Sequence, residues 1–493
     1  MLHLKAMRQT IPRLTATILF ILIVGFPMFY NLGEMPIRIW DEARHAVNSQ
    51  EMLENGNILV PHFRGKPEMW TTKPPLLIWL QAISLKCFLM NEFAVRLPSA
   101  VAGLFTCFLL MWFSKRHLGH YFVGYIACVI LVTTQGYVGH HVTRTGDFDA
   151  LLCLFTTASI LFFYLALSNK SNRYLLLFFI ALTLGVFTKS IAILIFSPVW
   201  ILFAVSIKRF NWLVSNKKFY QYSLVFVLPV LAYYLGREAV NPGYLHAVYN
   251  NEITGRYLNT VENHNQPWFY YVRNIVLSRF SYWFIFLVPS IVFSFLWLKK
   301  RDNTLMLYLI SCSIFYLVIL STAASKIEWY DAPTYPLFAL ILGLSLHQLA
   351  QKISRSKIRK LQVSPGIMAM VIVTLLALYP YHEMVSYVIR SEELSYEKPF
   401  YDIEYFIRDN ETLISNLKNP RVVYDGYDVQ IEFYTNALQS RGIPIHLSTI
   451  SHITSGETII ANQPHVINKI NETWEWTSQK VSPTVFIGVV RKK

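Results

Sequence analysis

Long apolar runs recur along this chain, separated by short basic clusters, and that pattern limits what it can fold into. The runs read Ala16 to Tyr30, Phe93 to Phe113, Tyr121 to Val138, Ala150 to Leu167, Tyr174 to Phe187, Ile191 to Ile207, Tyr222 to Leu235, Ile275 to Leu298, Leu305 to Thr322, Pro333 to Leu349 and Ile367 to Pro380. A crossing helix needs roughly 20 apolar residues, and the shorter runs reach that by borrowing their flanks. Inside lipid every backbone polar group must be satisfied within the protein, so continuous apolar runs of this length read as helices. The expectation is a polytopic α-helical membrane protein with about eleven transmembrane helices.

Composition agrees. Of 493 residues 54% are hydrophobic and only 15% charged, which is too apolar for one soluble core. The net charge of +15 would suggest nucleic acid in a soluble protein. Here the basic residues fall between the runs, at Lys115-Arg116-His117, Lys170 with Arg173, Lys208-Arg209, Lys217-Lys218, Lys299-Lys300-Arg301 and the stretch from Lys352 to Lys360. Counting crossings from a cytoplasmic N-terminus marked by Lys5, Arg8 and Arg13 puts all of them on one side, as positive-inside topology requires. A membrane is therefore the expected partner, and no nucleic acid. The first run lacks a small-residue cleavage site and is read as a span. Cys87, Cys107, Cys128, Cys153 and Cys312 all lie in apolar segments without metal spacing and read as packed thiols.

The same parity makes residues 31–92 a large extracytoplasmic loop. Its apolar piece from Leu76 to Met90 is short and bracketed by Lys73 and Lys86, so it is expected to lie in the interface. Letting it cross would move the later basic clusters outside. Residues 1–380 thus form the transmembrane domain. Residues 381–493 are polar, with β-rich pieces at Arg421 to Tyr424 and Thr484 to Val490 and helix-like stretches at Asp402 to Ile407 and Val429 to Leu438. They suffice for a small extracytoplasmic α/β domain.

The unusual polar residues collect on the outer side. The first loop gives Asp41, Glu42, Arg44 and Lys73; later loops give His140 to Asp149, Thr188-Lys189-Ser190, the stretch holding Glu252, Arg256, Glu262, His264 and Trp268 to Tyr271, and Lys326, Glu328, Tyr330 and Asp331. Charges from several loops on one membrane face suggest a single site. Its ligand would be amphipathic, with an apolar tail in lipid and an anionic head against Lys and Arg. Each residue also has an ordinary reading. Asp41 and Glu42 suit a solvated loop, Lys73, Lys189 and Lys326 suit snorkelling lysines, and Asp147 suits a helix N-cap. Adjacent His140 and His141 cannot easily face one site together, and Trp268 to Tyr271 suits an interfacial aromatic belt. The set carries the case, not any member.

The set resembles the GT-C membrane glycosyltransferases of the protein O-mannosyltransferase superfamily, and in particular the bacterial aminoarabinose transferase branch acting on lipid A. The resemblance rests on Trp40-Asp41-Glu42-Ala43-Arg44, Glu51-Met52-Leu53 with Gly56, Val60-Pro61, Lys73-Pro74-Pro75 and Phe93 to Ala100. It continues through Arg144 to Asp149, Glu252 with Arg256, His264 to Tyr271, and Ser325-Lys326 with Tyr330 and Tyr335-Pro336. It covers roughly residues 10 to 350. The family implies a GT-C-like fold in the bacterial inner membrane, and sugar transfer, with inversion, from a polyprenyl (undecaprenyl) phosphate donor. The acceptor, a lipid such as lipid A, a protein or another glycan, lies outside the cytoplasm.

By that resemblance Asp41 is the prime catalytic candidate, as general base or acceptor-orienting carboxylate, with Glu42 beside it and Asp149 second. Lys73 would hold the lipid phosphate, with Arg256 and Lys326 adding positive charge against the leaving group. Arg44, Asp147, Tyr330 and His264 would contact substrate. A divalent metal is the one cofactor the resemblance raises. The branch carries a metal-associated glutamate before the loop lysine, and this chain has Thr72 there. The competing class is a transporter or flippase of a lipid-linked sugar. Transporters place ionisable residues near the midplane and show repeated halves, and neither sign is present.

Overall fold

The computed structural model describes residues 17–258, 264–297, 300–356 and 364–493. It is mainly helical and separates into two compact units that interleave along the chain. One comprises Met1–Tyr30, Glu68–Leu77 and Leu97–Ile389; the other comprises Asn31–Pro67, Ile78–Arg96 and Arg390–Lys493.

The first unit is the membrane-embedded one. Each of the expected apolar runs carries a helix. Among the described residues, six helices are long and apolar enough to cross a membrane, seven if the bent pair Tyr270–Arg279 and Ser281–Val292 counts as one. The 118° bend in that pair replaces the single straight span expected from Ile275. The run from Tyr121 also breaks, into Phe122–Val132 and a short turn Gln135–Val138. Residues Asn172–Ser206 form one helical stretch by length, yet they double back. The rings of Phe178 and Trp200 lie 5.0 Å apart, whereas a straight helix would separate them by roughly 33 Å. The reversal falls at Ser190, whose φ of 50° ends helix Asn172–Lys189. The two apolar runs on either side of Thr188-Lys189-Ser190 are therefore separate limbs.

In the second unit, helix Asp41–Asn55 packs its apolar face on helix Val429–Gln439 around Val47, Val95, Ile431 and Phe433. Gln50 adds a hydrogen bond from Nε2 to the Phe433 carbonyl at 3.0 Å. Helix Leu76–Phe88 lays Ile78 and Ala82 against Met52 and leaves Ile83 and Phe88 exposed. Strands β1 (His62–Phe63) and β2 (Lys66–Pro67) form a small hairpin. The expected C-terminal α/β fold is present as a five-stranded sheet. Its strands are β3 (Pro420–Val423), β4 (His446–Ser448), β5 (Thr458–Ala461), β6 (Trp474–Lys480) and β7 (Phe486–Lys492), in the order β4-β3-β5-β7-β6. The first three run parallel, joined by helical crossovers, and β7 and β6 close the edge as an antiparallel ribbon.

Glu404, in helix Lys398–Asp409, is fully enclosed in this unit. Burial pushes its carboxyl up to about 8; nearby Glu393 pushes the same way, while Gln430 and Arg38 oppose it. The folded protein therefore holds a proton that the unfolded chain releases near its ordinary value of 4.5, and stability is lost as pH rises from about 4.5 to about 8. Glu404→Gln should remove this loss. Thermal unfolding is expected to show the variant more stable than the parent at pH 8, with the gap closing toward pH 4.5.

Candidate active site

Asp41 opens a helix because acids in the first turn favour the positive end of the helix dipole. Gly56, at φ 67°, closes it in the left-handed conformation and returns its N–H to the Met52 carbonyl. Just before Asp41, Trp40 has φ 73° and ψ −113°, a conformation costing about 1–3 kcal/mol for a bulky side chain. Its carbonyl accepts the Tyr427 hydroxyl at 3.0 Å, and the two rings lie 4.4 Å apart. Asp41 itself is half-buried, and Arg44 one turn on lies 4.1 Å over the Phe63 ring.

Glu42 is buried and held by Arg96 through both oxygens, at 2.7 and 2.9 Å. The Arg38 N–H donates to the same carboxylate at 2.8 Å. Arg96 gives its remaining protons to the carbonyls of Leu32, Met35 and Pro36. This pair fixes the loop ahead of Asp41 by charge-assisted hydrogen bonds.

In the membrane-embedded unit, Lys73 is buried rather than snorkelling. Its Nζ lies 3.3 Å from Glu252 Oε1, and the Thr72 hydroxyl donates to that same oxygen at 3.2 Å. Glu252 belongs to the wide-turned helix Tyr249–Leu258, which also carries Arg256; the Arg256 side chain lies outside the described residues, as does Glu262. The loop before Lys73 is held through its main chain. Arg237 donates to the Glu68 carbonyl at 2.8 Å, Asn251 to those of Met69 and Trp70, and the Tyr244 hydroxyl to that of Thr72 at 2.7 Å.

The Asp147-Phe148-Asp149 segment joins this arrangement, for Lys73 lies 5.5 Å over the Phe148 ring. Asp149 begins helix Asp149–Ser168 and accepts Lys189 Nζ at 2.6 Å. Lys189 in turn lies 4.6 Å over Tyr330, so it too is paired rather than snorkelling. Asp147 is not the N-cap. Phe148 holds that position without a side-chain cap, and Asp147 Oδ2 faces His141 Nδ1 at 3.2 Å. His141 has φ 64° and stacks on Trp329, which precedes Tyr330. Lys326 is buried and donates to the Ala323 carbonyl at 2.7 Å, and its N–H donates to the His264 carbonyl at 3.0 Å. The structure thus draws Lys73, Asp147, Asp149 and Tyr330 into one buried network. Lys326 and His264 form a second contact on the same loop as Tyr330.

Arg279 was not among the residues the sequence singled out. It is buried, donates from Nε to Asp331 Oδ1 and from Nη1 to Glu328 Oε1, both at 3.2 Å, and from Nη2 to the Gly136 carbonyl at 3.0 Å. Tyr335 completes the set by donating its hydroxyl to Asp331 Oδ2 at 2.7 Å. Gly136 is required here, because a Cβ would meet the Tyr335 ring at 2.5 Å. Burial pushes the Asp331 carboxyl up to about 6, against the pull of Arg279 and Tyr335. An arginine within an apolar run was the available signal, since such a residue needs partners.

The whole-chain architecture matches that of ArnT from Cupriavidus metallidurans bound to undecaprenyl phosphate, with a TM-score of 0.72, 14% identity, and 96% of this chain and 98% of that one covered. The chain therefore shares the fold of that protein. Residues 72–234 match the family described as dolichyl-phosphate-mannose-protein mannosyltransferase. In sequence the chain resembles aminoarabinose transferases. It is 24% identical over 343 residues to the undecaprenyl phosphate-alpha-4-amino-4-deoxy-L-arabinose arabinosyl transferase of Enterobacter sp. strain 638, covering 67% of this chain and 59% of that one. A protein of Aquifex aeolicus is 26% identical over 325 residues, covering 66% and 62%. The matched stretch spans about three fifths of the length of these relatives.

The Glu42–Arg96 pair yields a stability expectation. Removing one member leaves the other charge buried alone, which costs about 3–5 kcal/mol. Glu42→Gln or Arg96→Met should each lower the unfolding temperature by several degrees. The double variant should be less destabilised than the sum of the two, as a double-mutant cycle would show.

Proposed function

We propose that this protein is a glycosyltransferase that moves a sugar from a polyprenyl phosphate to an acceptor outside the cytoplasm. The observation that carries the reading is the buried network around Lys73, where Lys73–Glu252, Asp149–Lys189 and Asp147–His141 pair at the ends of apolar helices. Such groups are expensive to desolvate, and a site for an anionic lipid head gives them a role. The fold and the named relatives support the donor class. In this reading the chain crosses a bacterial inner membrane about eleven times. Its N-terminus is cytoplasmic, and the site and residues 381–493 are extracytoplasmic.

In the reaction, an acceptor hydroxyl attacks the anomeric carbon, the bond from that carbon to the phosphate oxygen breaks, and the hydroxyl proton passes to a carboxylate. Attack from the face opposite the phosphate inverts the anomeric centre. Asp41 takes the proton, being the candidate acid that is half-exposed, whereas Glu42, Asp147 and Asp149 are buried and paired. Lys73, already oriented by Glu252, meets the lipid phosphate, and Arg256 and Lys326 add to the positive field that stabilises it as it leaves. Tyr330, Arg44 and His264 contact the sugar or the acceptor. Thr72 offers no strong metal ligand, since a neutral hydroxyl stands there in place of a carboxylate. His141 and Asp147, with Nδ1 and Oδ2 3.2 Å apart, offer a nitrogen and an oxygen donor to a divalent cation. Such an ion would neutralise phosphate charge.

Two substitutions test the reading in detergent-solubilised protein given radiolabelled undecaprenyl-phosphate sugars. Asp41→Asn should abolish release of label from the donor while the protein stays folded; full turnover would remove Asp41 from the role. Lys73→Ala should raise the donor KM about tenfold or more, because a charged contact to phosphate is lost. Specific binding of every donor without turnover, in all acceptor mixtures, would favour the transporter.

A further inference from the structure

In the unit holding Asp41, four consecutive residues just before it are each gripped by the C-terminal segment. The Ile37 N–H donates to the Tyr434 hydroxyl at 2.9 Å. Arg38 pairs with the buried Glu393 at 2.6 Å and lies 4.8 Å over the Tyr401 ring. The Ile39 N–H donates to the Tyr401 hydroxyl at 3.3 Å, and the Trp40 carbonyl accepts the Tyr427 hydroxyl at 3.0 Å. The partners come from separate pieces of the chain: the turn before helix Lys398–Asp409, that helix, the loop after β3, and helix Val429–Gln439.

Packing does not require this pattern. A phenylalanine would fill the same volume as each tyrosine; the hydroxyls add a hold on the main chain, and that of Tyr434 also donates to the buried Glu92 carboxylate at 2.7 Å. That hold ends at Trp40, whose positive φ a free loop would relax. The next residue is Asp41.

We propose that the C-terminal segment is a positioning device for the reactive carboxylate. Tyr401, Tyr427 and Tyr434 clamp the backbone of residues 37–40 so that Asp41 keeps the placement acceptor activation needs. This rests on the reading of Asp41 as the base. It gives residues 390–493 a part in the chemical step although none of them touches the reacting atoms.

The test uses full-length protein with Tyr401→Phe, Tyr427→Phe and Tyr434→Phe, singly and combined, and the labelled donor that the parent turns over. The combined variant is expected to lose kcat on the order of tenfold to a hundredfold, as a small misplacement of a catalytic group does. Donor KM and binding of undecaprenyl phosphate alone should stay within about twofold. Amide hydrogen exchange should quicken about tenfold at Ile37 in Tyr434→Phe and at Ile39 in Tyr401→Phe. Unchanged kcat in a folded combined variant, with Asp41→Asn inactive, overturns the proposal, as does unchanged exchange at both amides. Should the combined variant fail to fold, Tyr427→Phe decides alone, because its hydrogen bond is exposed and its ring still packs against Trp40. If Asp41→Asn retains turnover, the role of Asp41 fails, and the exchange at Ile37 and Ile39 still reports whether the clamp exists.

Discussion

The buried ion pair between Glu42 and Arg96 is the interaction on which the order of the first loop depends. A bidentate carboxylate–guanidinium pair fixes both distance and plane. Here it also absorbs the carbonyls of Leu32, Met35 and Pro36, which a loop without regular structure would otherwise leave unpaired. Desolvating two charges is costly, and a well-packed apolar pair of the same size would often be as stable or more so. What the ionic pair adds is direction. It locks the start of helix Asp41–Asn55 against residues 32–38.

The membrane-embedded unit follows the same logic with the opposite balance. Lys73 and Lys189 have carboxylate partners in Glu252 and Asp149, and both lie over aromatic rings. Each ammonium thus has a carboxylate and an aromatic face in place of the water it has lost. In the proposed site an ammonium already stripped of water would need little further dehydration on meeting a phosphate. The ordinary alternative, a snorkelling lysine with its head in water, would pay that dehydration at every encounter.

Much of the fold was legible because the signals are local. The apolar runs announced their helices, and Arg421 to Tyr424 and Thr484 to Val490 announced strands now seen at Pro420–Val423 and Phe486–Lys492. The reversal at Ser190 was legible from the polar Thr188-Lys189-Ser190 break. What was not legible is pairing over distance. Glu42 and Arg96 are 54 residues apart and Thr72 and Glu252 are 180 apart, and nothing in either segment names its partner. Asp147 was also open to reading as a helix cap, since acid before an apolar run is the cap signal; the N-cap at Phe148 and the pairing of Asp147 with His141 separate the two. The 118° bend near Phe280 left no trace either, because a π-type turn has no composition of its own.

The first loop also shows how a polar, proline-rich segment is ordered without becoming helix or strand. Its two halves are held in different units but by one device. Residues 37–40 are held by Tyr434, Tyr401 and Tyr427 hydroxyls, and residues 68–72 by Arg237, Asn251 and Tyr244. In both cases side chains remote in sequence bond to main-chain groups of the loop. Fixing a backbone residue costs about 1–2 kcal/mol of entropy, so a loop this long would not stay ordered on its own contacts. Main-chain bonds have a second consequence: they are indifferent to the loop's own side chains. Asp41 and Lys73 each stand next to a residue held through its main chain, so their side chains are placed by the clamp without taking part in it.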